Sequence, residues 1–170
     1  MARRFRSRDG RVTGRLEPYE VTLLRGLLDD VVTLVGDDDP ENPVTARLFP
    51  DASPDPATAA DLRDLLHDDL REAKLANARA MAGSLPDDGV VDLDVETAER
   101  WLAALNDVRL ALGTVIGVTD DDPDGSGGSG GPGGSGGSAE PDDAARDVYH
   151  WLTFLQETLV EAVSAGGVQR

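Results

Sequence analysis

The stretch Trp101–Thr114, WLAALNDVRLALGT, combines an apolar helical stripe with polar residues that a helix would hold beside its buried face. These polar residues are Asn106, Asp107 and Arg109. Gly113 lies on the same helical row as Asn106 and Arg109, and a glycine there lets a neighbouring helix approach closely. The stretch therefore predicts a long buried helix with a closely packed partner.

A second stretch near the C-terminus, Trp151–Val163, repeats the arrangement as WLTFLQETLVEAV. Here the polar residues are Gln156 and Glu157. We expect the two helices to pack antiparallel, with Asn106 hydrogen-bonded to Gln156 and Arg109 paired with Glu157. We call this set the polar seam; its structural interpretation is favoured, and a partner or ligand pocket is the alternative. The seam comprises Asn106, Asp107, Arg109, Gly113, Gln156 and Glu157.

The rest of the chain predicts further helices and a little sheet. Apolar spacings of three and four, with Pro at helix starts and Gly at helix ends, indicate four long helices. The pair Asp9-Gly10 between short extended runs predicts a hairpin, and VVDLDV at 90–95 suits a brief additional strand. We therefore predict a mainly α protein, a bundle of about four helices with a short N-terminal β-hairpin, in one domain over 1–170. The predicted helices are 18–36, 57–82, 95–116 and 141–166.

Residues 119–140 predict a flexible linker inside this domain, because they are acidic and then almost entirely Gly and Ser. The run Asp120–Gly125 begins like a calcium loop, and Gly125, Gly127 and Gly130 have the spacing of a dinucleotide-binding fingerprint. The twelfth loop position is Gly131 instead of Glu, and no strand or helix flanks the glycines. We therefore predict neither site.

The composition of the chain argues against several classes of function. The chain has 170 residues, a net charge of −17 and no cysteine. Disulfides and thiolate metal sites are therefore excluded, and no apolar run or leader predicts a membrane span or export. The two histidines, His67 and His150, lie in no metal-binding pattern, and no Ser or Thr has a positioned base. We expect a cytoplasmic protein that is not an enzyme and uses no metal or cofactor.

The N-terminal segment Met1–Leu16 is basic, in contrast to the acidic chain as a whole. Two interpretations of this segment stay open. It carries six arginines and one aspartate, a net charge of +5. The arginines suit an anionic partner, although an acidic body repels DNA and makes nucleic acid the weaker candidate. The alternative is a solvated strand or hairpin arm over residues 1–16. The candidate contact residues are Arg3, Arg4, Arg6, Arg8, Arg11 and Arg15.

Three strings carry a resemblance to a known family: WLAALNDVRLALGTVIGVTDDD, TARLFPDA and YHWLTFLQETLVEAV. They resemble the actinobacterial oxidative stress regulator AosR family, long labelled a domain of unknown function. The resemblance implies a cytoplasmic, non-enzymatic regulator that binds a sigma-factor-type protein partner in oxidative-stress transcription. The family's sensing device is a CxxxC pair, which a chain without cysteine does not have.

A second hypothesis comes from the gene neighbourhood that the resemblance implies. It is an adaptor or scaffold protein in Clp-linked proteolysis or sulfur metabolism. Co-purification with protease components would favour this hypothesis, whereas a stable complex with the transcription machinery would favour the first. The oligomeric state stays open.

Overall fold

The computed structural model describes residues 3–118 and 141–167, so the predicted linker at 119–140 lies outside the described residues. It confirms a mainly α fold with an N-terminal hairpin, to which a third strand is added. The helices and strands are β1 Arg3–Arg8, β2 Arg11–Arg15, α1 Pro18–Asp37, α2 Pro43–Leu48, α3 Pro56–Ser84, β3 Val90–Asp94, α4 Val95–Val115 and α5 Pro141–Gly167.

Local sequence explains where the helices begin. The side chains of Asn42, Asp55 and Asp94 cap α2, α3 and α4 by accepting hydrogen bonds from backbone N–H groups of the first turns. Hydrogen bonding from Thr58 and Thr97 lowers the pKa of the Asp55 and Asp94 carboxyls, respectively. The two aspartate caps therefore stay ionised at neutral pH, which also suits the positive ends of α3 and α4.

The sheet has the order β1-β2-β3, and both pairings are antiparallel. Its inner face carries buried apolar side chains, and its outer face carries exposed arginines. Phe5 lies over Gly14, where an added Cβ would come within 2.5 Å of the Phe5 ring. Glycine at this position therefore allows the ring to cover the strand and reach the core. The buried residues are Phe5, Val12, Val91 and Leu93.

Helix α4 is the centre of the fold, because it contacts all four other helices as well as β2 and β3. Trp101, near its start, is 1% exposed and donates a hydrogen bond from Nε1 to Ser84 Oγ at 2.8 Å. The rings of Trp101 and Phe5 are nearly perpendicular, with their centroids 6.3 Å apart. One side chain thus joins α3, α4 and the sheet.

Helices α4 and α5 run antiparallel, as predicted. Gly113 near the end of α4 faces Tyr149 near the start of α5, and the other end of α5 reaches the sheet, where Gly166 approaches Ser7. Trp151 of α5 donates a hydrogen bond to the buried Glu20 carboxylate of α1 at 3.0 Å. That carboxylate also accepts a bond from the Glu17 backbone N–H at 2.7 Å. It therefore links the start of α1 to α5.

No helix within residues 3–118 and 141–167 combines the length and the apolar character that crossing a bilayer requires.

The contact between Phe5 and Gly14 leads to a stability prediction. Gly14→Ala places a methyl group 2.5 Å from Phe5 Cδ1, too close for a normal contact, so the ring must move from its position against Trp101. We expect a loss of about 1–3 kcal/mol in the free energy of unfolding, measured by urea denaturation. Gly26→Ala is the matched control, because an added Cβ meets nothing within 4 Å there. It should stabilise α1 by roughly 0.5–1 kcal/mol. Equal effects of the two substitutions would contradict this account.

Candidate functional site

The polar seam does not form the contacts that we predicted across α4 and α5. Asp107 is 4% exposed and faces α3, where its Oδ1 accepts a hydrogen bond from Lys74 Nζ at 2.7 Å. The helical repeat carries Asp107 to the α3 side of α4, away from the row that holds Asn106 and Arg109. The pair Lys74–Asp107 therefore belongs to the interface between α3 and α4.

Burial raises the pKa of the Asp107 carboxyl above its usual value, and the nearby ammonium of Lys74 acts in the opposite direction. Both side chains are largely enclosed: the exposed fraction of the side chain alone is 14% for Lys74 and 6% for Asp107. Water therefore screens this ion pair much less than it screens a surface pair. Its contribution is structural, because it neutralises a charge that the helix packing has enclosed.

The expected bonds between α4 and α5 are also absent from the described residues. Asn106 makes no hydrogen bond to Gln156, and Arg109 makes no ion pair with the exposed Glu157. Instead, Arg109 Nε and Gln156 Oε1 are buried without a hydrogen-bond partner. The pairing prediction was wrong because sequence spacing gives a side chain's helical row but not the direction of its polar atoms.

Gly113 confirms the close approach predicted for this interface. It is buried, and a Cβ added there would lie 3.0 Å from Tyr149 Cε2. The polar seam residues thus divide between two helix interfaces and the surface. They do not converge on one chemical site.

The arginines of the N-terminal segment lie on β1 and β2, which are both strands of the sheet. Side chains that are directly opposite in neighbouring strands share a face. The register places Arg6, Thr13 and Asp92 in one row and Arg8, Arg11 and Asp94 in the next. Arg15 and Val90 form a third row. We call this outer surface the arginine face; its described residues are Arg6, Arg8, Arg11, Thr13, Arg15, Val90, Asp92 and Asp94.

Only some charges of the arginine face are neutralised within it. Arg11 Nε donates to Asp92 Oδ1 at 2.5 Å, and Arg8 lies 3.7 Å from its neighbour Asp9. Among residues 3–118 and 141–167, Arg6 and Arg15 make no ion pair. The side chains of Arg3 and Arg4 lie outside the described part of the chain, although both residues belong to β1. The face therefore offers exposed guanidinium groups to an anionic partner.

The arginine face also has a shallow depression, with a volume of about 580 Å³. Val90 at its edge is 48% exposed. Sequence reasoning identified the arginines but missed that β3 contributes Val90 and Asp92 to the same surface. The alternating pattern of VVDLDV held that signal, because it turns every second residue of the strand outward.

His67 has a partner of its own. Its Nε2 lies 2.9 Å from both carboxylate oxygens of Asp38, and its ring lies 4.7 Å from the ring of Phe49. In the described part of the chain, no group of three or more His, Asp or Glu side chains has the geometry of a metal site. The contacts of His67 therefore join α3 to Asp38 and Phe49, the residues that cap the C-terminal ends of α1 and α2.

The buried pair of Lys74 and Asp107 gives a pH-dependent prediction. Lys74→Met leaves the Asp107 carboxylate enclosed without its cation and should cost about 3 kcal/mol of unfolding free energy near pH 7. The pKa of Asp107 should then rise further, so protonation should restore part of this loss as the pH falls toward about 5. Urea denaturation at both pH values measures the difference.

The control is Arg100→Met, which removes an exposed pair with Glu96 on α4. It should change the unfolding free energy by less than about 0.5 kcal/mol. If Lys74→Met lowers the unfolding free energy equally at both pH values, the loss does not come from an unpaired Asp107 carboxylate, and this account is contradicted.

Comparison with known proteins places these features in a family. Residues 2–163 match the family model described as "Domain of unknown function (DUF2017)". No solved structure matches the chain.

Named relatives occur in mycobacteria. A relative in Mycobacterium leprae is 30% identical over 184 aligned residues, which cover 87% of this chain and 80% of the relative. Relatives in Mycobacterium tuberculosis H37Rv and Mycobacterium bovis, each named "Oxidative stress regulator AosR", are 31% identical over 195 aligned residues. These alignments cover 93% of this chain and 85% of each relative. Because the family model and the relatives all span most of its length, this chain belongs to the DUF2017 family of AosR-type proteins.

Proposed function

We propose that this chain is a regulator of oxidative-stress transcription that binds a protein partner of the sigma-factor type through its arginine face. The names of the mycobacterial relatives support the regulatory role. The observation that carries the binding proposal is the row arrangement of exposed arginines on the outer face of the sheet, with Arg6 and Arg15 unpaired among the described residues.

An acidic protein surface suits the arginine face better than nucleic acid does. The chain as a whole carries a charge of −17, so it repels a phosphate backbone at long range. Asp92 and Asp94 lie among the arginines, and Val90 adds apolar area. Mixed charges and an apolar contact are typical of a protein interface, whereas a nucleic-acid surface is more uniformly basic.

The absence of cysteine shapes the mechanism that we propose. Without thiols the chain has no disulfide switch, so its partner affinity does not depend on a change in its own cysteine oxidation state. The amount of complex would then be set by the concentrations of the chain and its partner. Electrostatic complementarity would chiefly set the association rate and the choice of partner.

Charge reversal tests the binding surface. Arg6→Glu combined with Arg15→Glu should weaken binding to the cognate sigma factor by at least about tenfold, because each new carboxylate repels an acidic partner. Both residues are exposed, so the fold should persist. Biolayer interferometry measures the affinity of the purified chain for each sigma factor of its own genome and for promoter DNA.

The matched control combines Arg79→Glu on α3 with Arg146→Glu on α5. It changes the net charge by the same amount, but at positions outside the sheet. It should keep the wild-type affinity. Equal loss in both variants, binding to DNA alone, or no sigma-factor binding at all would contradict the proposal. Retention of Clp protease components or sulfur-metabolism enzymes in place of a sigma factor would favour the adaptor hypothesis.

A further inference from the structure

The N-terminal half of α3 exposes leucines that the core does not use. Leu65 is 71% exposed, Leu66 is 47% exposed and Leu70 is 42% exposed. Further along the same helix, Ala78 and Met81 are buried in the core. Isolated exposed leucines are common on protein surfaces, but neighbouring ones on one helical segment indicate an interaction site.

The leucines cluster on one side of α3. Leu62, Leu66 and Leu70 follow one another at intervals of four residues, so they align along one side of α3, and Leu65 lies next to this line. We call these four residues the leucine face. Part of it lines a groove of about 100 Å³ whose other wall is the chain after α2, contributed by Phe49, Pro50, Asp51 and Ala52.

The charges around the leucine face are almost all negative. Five carboxylates lie on the same helical segment, and none of them has a hydrogen bond or ion pair within the described residues. The two arginines of the segment are already engaged: Arg63 pairs with Asp51, and Arg71 donates to the backbone oxygens of Val35 and Gly36. We call the five carboxylates the acidic flank: Asp61, Asp64, Asp68, Asp69 and Glu72.

We propose that this half of α3 is a docking surface for a basic amphipathic helix of a partner protein, separate from the arginine face. The apolar side of such a helix would cover the leucine face, and its Arg or Lys residues would meet the acidic flank. A second copy of this chain docked through the same surface would bring two acidic flanks together. That repulsion disfavours self-association as the occupant.

A designed pair of helical peptides tests the surface on the full chain. The first peptide, of about 18 residues, places leucines on one helical face and arginines on its flanks; the second keeps the leucines and replaces each arginine with glutamate. Fluorescence anisotropy at physiological salt should show binding of the arginine peptide. The glutamate peptide should bind at least about tenfold more weakly.

Variants of the chain locate the binding. Leu65→Gln combined with Leu66→Gln should lower the affinity of the chain for the arginine peptide by at least about tenfold. The unfolding midpoint should stay near the wild-type value, because both side chains are already exposed. Asp61→Asn combined with Asp68→Asn should weaken binding and reduce its dependence on salt. The matched control is Val160→Gln on α5, where the exposed apolar residue is 45% accessible and distant in sequence.

The result that supports the proposal is loss of peptide binding in the α3 variants with retention in Val160→Gln. The proposal is overturned if the peptide binds all variants equally, because the cationic peptide would then associate non-specifically with the whole acidic surface of the protein. It is also overturned if sedimentation shows a dimer that Leu65→Gln with Leu66→Gln dissociates, since the occupant would then be a second copy.

Discussion

The burial of α4 is the constraint on which the rest of the structure depends. A helix that contacts four other helices and the sheet must be apolar on most of its circumference. Trp101 is the largest side chain in this environment, and its position requires a hydrogen-bond acceptor for the indole N–H and a partner for its ring. Ser84 supplies the acceptor and Phe5 supplies the ring contact.

Two carboxylates enclosed inside the protein have partners on neighbouring elements. Asp107 is enclosed on the α3 side and is neutralised by Lys74, the chain's single lysine. Glu20 is enclosed near α5, where it accepts hydrogen bonds from Trp151 and from its own helix start. Each of these carboxylates therefore joins two elements that are distant in sequence, and each limits how the helices can slide past one another.

The surface is free to serve binding because the core is complete without it. The outer side of the sheet needs no apolar residues, so it can carry the arginine face. The first half of α3 keeps leucines and carboxylates exposed, so they are available to a partner. Two surfaces of opposite charge on one chain are suited to a protein that binds more than one macromolecule.

The sequence by itself determined the four long helices, the hairpin and the added strand, because periodicity, caps and turn residues are local signals. The expectation that α4 and α5 run antiparallel was also correct. It also identified Gly113 as a close contact and the arginines as a charged segment. Only the tertiary structure decided that Asp107 pairs with Lys74, that Gln156 and Arg109 form no mutual bonds, and that β3 completes the arginine face. These outcomes depend on the rotation of each helix and the register of each strand, which residues distant in sequence set through packing.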